Sequence, residues 1–233
     1  AYVEDNYVLK EIDLEVKSGE TVAFVGATGA GKSSIVNILS RFYEFQKGTI
    51  SLDNQDIRKY TLDAVRSQIS VVLQEVFLFS DSIYNNITLS NKDISREQVI
   101  EASKIVGAHE FIMALPGGYD YNVKERGVML SSGQRQLIAF IRAYVANPSV
   151  LVLDEATSSV DTESEELIQS AIEKLTKGRT SIIIAHRLST IQQADKIVVL
   201  EKGRIIEHGS HKELLSHDGQ YKKLFELQFQ ESP

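Results

Sequence analysis

Between Gly26 and Ser33 the chain reads GATGAGKS, a spacing of glycines, a lysine and a hydroxyl that suits a polyphosphate. Glycines let backbone N–H groups curl around phosphate oxygens, and the N-terminus of a following helix adds a favourable field. The Lys32 ammonium reaches the outer phosphates, and the Ser33 hydroxyl is a ligand for Mg2+. A glycine-rich turn before a helix is the plainer reading, and the flanks weigh against it. Thr21 to Val25 is an apolar β-type run, while Ile35, Ile38, Leu39 and Phe42 fall at i, i+3, i+4 and i+7 and predict an amphipathic helix.

Val150 to Leu153 runs straight into Asp154 and Glu155, which puts two carboxylates at the C-terminal edge of a buried strand, where open α/β sheets bind ligands. Asp154 is then placed to hold Mg2+. Glu155 is placed to orient and deprotonate a water, or, more plainly, to serve as an acid at a helix N-terminus. Ser181 to Ala185 ends in His186, and Ser70 to Leu73 ends in Gln74. A lone histidine is usually structural, but beside a phosphate loop it suits a γ-phosphate contact. An amide such as Gln74 can coordinate Mg2+ or water, or simply hold a loop. In the segment from Leu130 to Gln136, LSSGQRQ, Ser131 and Ser132 are natural caps for the helix that follows. The residue types leave open whether this is only a capped helix or a second phosphate site.

These side chains need elements to position them. Val8 to Val16 and Thr21 to Val25, separated by the turn Lys17-Ser18-Gly19-Glu20, predict consecutive strands. Ser70 to Leu73, Val150 to Leu153, Ser181 to Ile184 and Lys196 to Leu200 are short Val, Ile and Leu runs typical of strands buried on both faces of a parallel sheet. Helical stretches lie between most of them, so the expected fold class is α/β, a layered core. From about Phe77 to Asn147 the pattern is mostly helical, with Asp93 and Ser95 as caps and Pro148 closing it. The expected organisation is a core of residues 1–74 and 149–233, with residues 75–148 as an inserted helical subdomain. Near the C-terminus Tyr221, Leu224, Phe225 and Leu227 suggest a helix face for core packing or dimer contact.

The chain has 233 residues, enough for one large domain with an insertion. Its 25 basic and 32 acidic residues leave a formal charge of −7, which argues against a broad grip on nucleic acid. The lack of cysteine removes disulfides, thiolate metal sites and a cysteine nucleophile, and fits a reducing compartment. No window approaches the roughly 18–20 apolar residues of a membrane-spanning helix. The abrupt start at AYVEDNYVLK suggests a fragment of a longer polypeptide.

Taken in order, GATGAGKS, VVLQ, LSSGQRQ, VLVLDEATSSVD and IIIAHR resemble the nucleotide-binding domain of an ABC transporter. The resemblance implies a P-loop core with N-terminal antiparallel strands, a helical subdomain inserted after Gln74, and a head-to-tail dimer that sandwiches two ATP molecules, with the signature residues Ser131, Ser132, Gly133 and Gln134, and Asp161, completing the partner's site. It implies that Gly26, Thr28, Gly29, Ala30, Gly31, Lys32, Ser33 and Ser34 hold the phosphates. Ser33, Gln74 and Asp154 would hold Mg2+, and Glu155, His186, Gln74 and Lys32 would carry hydrolysis. The family stacks an aromatic on adenine, and Tyr2 stands where that residue belongs; a frayed terminal tyrosine is the plainer alternative. Asn91-Lys92-Asp93-Ile94 lacks the last acid of a guanine motif, which favours ATP over GTP.

QEVFLFSDSIYNNI and Glu125-Arg126-Gly127 are similar to exporters whose membrane domain precedes the cassette on one chain. That implies transmembrane domains as partners, no nucleic acid, and a place at the cytoplasmic face of a cell membrane, the bacterial inner membrane by this likeness. Phe77, Leu78 and Phe79 suit either a membrane-domain contact or subdomain core. Three departures stand out: Ser132 where glycine is usual, Ser159 and Val160 where alanine and leucine are commoner, and Lys124 in place of a glycine. A soluble ATPase acting on ribosomes or DNA, and a cassette that closes on ATP but hardly hydrolyses it, are the competing readings.

Overall fold

The computed structural model describes residues 7–155 and 162–229, which form two compact units. The first comprises Ala1–Val71, Ser149–Glu155 and Gly178–Pro233; the second comprises Val72–Pro148 and Ala156–Lys177. Chain length and the internal helical stretch pointed to a core interrupted by an insertion. Residues 72–74 and the helix Thr162–Thr176 fall in the second unit.

The first unit is built on strands β1 (Thr21–Val25), β5 (Val150–Asp154), β6 (Thr180–Ile184), β7 (Lys196–Glu201) and β8 (Arg204–Gly209), with a short β2–β3 hairpin (Ser51–Leu52, Gln55–Asp56) beside them. With β4 (Ile69–Val72) they give a six-stranded sheet ordered β4-β5-β6-β1-β7-β8. β1 pairs in parallel with both β6 and β7, and β5 in parallel with β6. Only β8 among the large-sheet pairs described runs antiparallel, against β7. Parallel strands need both faces covered, which is why TVAFV and VLVLD are almost unbroken apolar runs. Val22, Phe24, Val152, Ile182, Ile184, Val198 and Leu200 form the core with Ile35 and Val36 of helix α1 (Lys32–Leu39).

Two local expectations fail for physical reasons. Residues 8–16 form no strand. Leu9, Ile12, Leu14 and Val16 do pack on the core, but Glu11 sits at φ 52, which breaks the extended backbone a ladder requires. The Lys10 N–H instead donates to the Gly203 carbonyl at 2.8 Å. Phe42 was expected on the buried stripe of α1, but the helix stops at Leu39 and Phe42 is 50% exposed, with the Arg66 guanidinium 5.6 Å from its ring centre.

The second unit packs α3 (Ile83–Thr88), α4 (Arg96–Val106) and α7 (Thr162–Thr176) on α6 (Ser132–Val145), with α5 (His109–Ala114) against α4. Ser95 and Ser131 each cap a helix through a reciprocal box with Gln98 and Gln134, which is the role their residue type predicts; Asp93 caps nothing. Leu78 is fully buried whereas Phe77 and Phe79 are each 55% exposed, so the FLF triplet divides between core and surface.

The backbone at Lys124 is of a kind that suits glycine, the residue expected there from the resemblance. The Val123 N–H donates to the Asp81 carbonyl and the Lys124 N–H to Asn122 Oδ1, which fixes Lys124 at φ 61, ψ −171. Only glycine occupies that region freely. Lys124→Gly is therefore expected to stabilise the chain by about 1 kcal/mol, a rise of roughly 2–4 °C in Tm. An unchanged or lower Tm would show that the strain is not there. Ser132, by contrast, opens α6 in ordinary helical backbone and is exposed, so serine costs no backbone strain at that signature position.

In the first unit, α10 (Gln220–Phe229) buries Tyr221, whose hydroxyl lies 2.6 Å from His211 Nδ1, and burial pushes the Tyr221 phenol up to about 12. Leu227, expected on the same face, is 67% exposed.

Candidate active site

Because β1, β5 and β6 are mutually parallel through β6, their C-terminal ends share one edge: Phe24 is in register with Ile184, and Asp154 with Ile184. The segments that leave that edge carry the residues picked out for chemistry. Gly26 follows β1, Asp154 ends β5 with Glu155 beyond it, and His186 lies two residues past β6.

The loop from Gly26 to Gly31 is shaped by its glycines. A Cβ on Gly26, at φ 149, would overlap the Leu200 carbonyl oxygen. Gly31, at φ 109, is the N-cap of α1; no side chain caps the helix and its first turn has no acid. Its N-terminus therefore keeps N–H donors for an anion. Thr28, Gly29 and Ser33 are exposed, and Ala30 is buried.

Lys32 is mostly buried, and its ammonium donates to the Gly26 carbonyl at 2.6 Å and to the Ala27 carbonyl at 3.2 Å. Burial lowers its pKa while the nearby Asp154 carboxylate raises it. Burial raises Asp154 in turn, opposed by Lys32. His186 is pushed down by burial and by the Lys32 charge, both of which favour its neutral imidazole. The Lys32 charge thus acts on both Asp154 and His186 and links them electrostatically.

Glu155 is 2% exposed. Its Oε2 accepts from the backbone N–H of His186 at 3.0 Å and of Arg187 at 3.2 Å, and its Oε1 accepts from the Thr190 hydroxyl at 2.5 Å. Burial raises its pKa, against the pull of these donors. Thr190, on the short helix α8 (Leu188–Gln193), is the site residue that sequence reasoning missed. A hydroxyl four residues past His186, on the first turn of a helix, was the signal available in AHRLSTI.

The loop is held from behind. The Gly203 N–H donates to the Ala30 carbonyl at 2.9 Å, and a Cβ on Gly31 would come 2.9 Å from Leu9 Cδ2. Gly203, in the β7–β8 turn at φ 79, leaves no room for a side chain against the Val8 carbonyl. Gly203→Ala must displace residues 8–10 or break the bond to Ala30. ATP affinity is expected to fall about tenfold, the value of roughly one well-made hydrogen bond to an ordered loop, as read by calorimetric titration. Unaltered affinity would show that the turn does not support the loop.

Gln74 is exposed just past β4 and belongs to the second unit, as does the signature. There Ser131 Oγ accepts from the Gln134 N–H at 3.1 Å while Gln134 Oε1 accepts from the Ser131 N–H at 3.0 Å, with Gly133 buried between them. So the serine at least caps its own helix. Tyr2, Asp161 and the Ser158 to Val160 stretch lie outside the described residues.

The family described as ABC transporter matches residues 9–158. This chain belongs to the ABC transporter family. Its fold is that of an ABC exporter's nucleotide-binding domain: it superimposes on a bacterial Atm1-family ABC exporter solved with ATP bound with a TM-score of 0.90, at 43% identity, over 98% of this chain and 40% of that one. An ATP-dependent lipid A-core flippase of Legionella pneumophila (strain Paris) is 50% identical over 228 residues, 98% of this chain and 39% of the flippase. A Bacillus subtilis (strain 168) protein, named as a multidrug export ATP-binding/permease protein of inferred role, is 51% identical over 221 residues, 95% of this chain and 38% of its own length. This ABC transporter chain thus spans about two-fifths of the length of the relatives it matches.

Proposed function

We propose that the chain is the ATP-binding and ATP-hydrolysing motor domain of an exporter, in which ATP draws two cassettes together head to tail and hydrolysis releases them. The observation that carries this reading is the gathering of Lys32, Asp154, Glu155 and His186 at the sheet edge where the Gly26 loop leaves β1. Gly26, Thr28, Gly29, Ala30, Gly31, Lys32, Ser33 and Ser34 cradle the phosphates, and Tyr2 stacks on adenine. The oxygen donors Ser33 and Asp154, with Gln74, suit Mg2+, a hard cation that neutralises charge on the outer phosphates when bound. Glu155 takes the proton of the attacking water, while neutral His186 and Lys32 steady the γ-phosphate. Ser131, Ser132, Gly133, Gln134 and Asp161 serve the partner's site from the signature-bearing unit.

The permease and flippase relatives support a membrane-embedded partner, and with it a place at the cytoplasmic face of a membrane. Among the described residues no helix is long and apolar enough to cross one. In this reading transmembrane domains carry out transport and the cassette powers it. The test is the Mg-ATPase rate of the chain against its own concentration. A site shared between two chains gives a rate that rises with the square of dilute protein and is stopped by orthovanadate. A rate strictly proportional to protein, or none at any concentration, would overturn the proposal.

A further inference from the structure

We infer that Thr190 is a positioning residue that parks the Glu155 carboxylate in a resting site, with the His186 and Arg187 amides as the other walls of that site. The inference rests on the reading of Glu155 as the general base and goes further by saying where that base is kept when it is not in use.

Three features of the site carry it. First, the protein engages three of the carboxylate's roughly four acceptor sites: two backbone N–H groups on Oε2 and a hydroxyl on Oε1. A base must present a lone pair to water, and here the lone pairs aimed at donors are engaged and the side chain is 2% exposed. Second, the walls start from anchored strand ends. The Glu155 N–H is tied to the Ile184 carbonyl at 3.1 Å and the Ala185 N–H to the Phe24 carbonyl at 3.1 Å, so both sides of the pocket are extensions of the sheet. Third, the walls belong to the segment that carries His186. Movement of that segment towards a γ-phosphate pulls on the same two amides that hold Glu155, which links nucleotide sensing to release of the base.

Two of the three donors are backbone groups that no substitution removes; the Thr190 hydroxyl is the adjustable one. Thr190→Val keeps the shape and deletes the donor, leaving a buried, unsatisfied carboxylate oxygen. That penalises the parked arrangement and not the working one. Thr190→Ser keeps the donor.

The test has two arms on the 233-residue chain, with thermal unfolding to verify that each variant folds. In the nucleotide-free chain, hydrogen exchange at the His186 and Arg187 amides reports parking directly. Protection is expected to fall about tenfold in Thr190→Val and to return in Thr190→Ser, the change set by loss of one hydrogen bond to a charged group. In the Mg-ATPase assay Thr190→Val is expected to raise kcat several-fold with KM for ATP unchanged, Thr190→Ser is expected to restore the original rate, and Glu155→Gln is expected to abolish the rise. Unchanged protection, or a kcat that falls in Thr190→Val and recovers in Thr190→Ser, overturns the inference, because the hydroxyl would then support the working position. Full turnover in Glu155→Gln alone would sink the reading of Glu155 as base, and the exchange arm would still decide whether the carboxylate is parked.

Discussion

Glu155→Gln is expected to bind ATP as tightly as the parent chain and to turn it over about 10²- to 10⁴-fold more slowly, the contribution of a positioned general base. The substitution is unusually clean here. Gln Oε1 can take the two amides of residues 186 and 187, and its Nε2 can donate to the Thr190 oxygen, so the pocket that surrounds Glu155 stays filled and bonded. The fold should be unharmed, and the loss should fall on kcat alone. With hydrolysis stopped and binding intact, the nucleotide holds two chains together, so light scattering after gel filtration in Mg-ATP should report a dimer where the parent chain is mostly monomer. A variant that hydrolyses ATP at the parental rate would remove Glu155 from the chemistry.

Mixing two dead variants is expected to restore activity. Lys32→Ala removes the buried ammonium from the phosphate loop, and Gly133→Asp puts a negative charge at the N-terminus of α6, where a phosphate is expected. Each alone should lose about 10²- to 10³-fold in rate, since each dimer then has the same defect in both sites. In a mixed dimer one site collects both lesions and the other collects neither. Random pairing makes half the dimers mixed with one good site each, so about a quarter of the parental rate should return in a symmetric two-site assembly. Mixed dimers that form and stay inactive would show that the signature of one chain does not serve the loop of the other.

How much of this was legible in the residues differs by element. The sheet-edge cluster was legible because its signals are local: an apolar run ending in a polar group names both the strand and the residue placed at its tip, as VLVLDE and IIIAH do. The capping boxes at Ser95 and Ser131 were legible for the same reason. The strand expected over residues 8–16 was not, because alternation reports which side chains face a core and says nothing of whether a neighbouring backbone is in reach; Glu11 at φ 52 settles that. Phe42 fitted a helical period that the helix does not last long enough to use. The Thr190 contact bridges 35 positions and depends on the register between β5 and β6, which no local pattern encodes.

The place of β1 in the sheet has a consequence for how the protein is made. Its neighbours are β6 and β7, which enter the chain some 155 to 175 positions after it. At ribosomal speeds of about 5–20 residues per second, the strand that carries the phosphate loop waits roughly ten to thirty seconds for either flank. Within the cassette the loop is made before the strands that flank it and is among the last segments to acquire its shape, so a nascent chain has no nucleotide site until nearly the whole core has emerged. A truncated product or stalled ribosome would therefore expose an apolar TVAFV strand without ATP to stabilise it, and quality control rather than nucleotide supply decides the fate of incomplete copies.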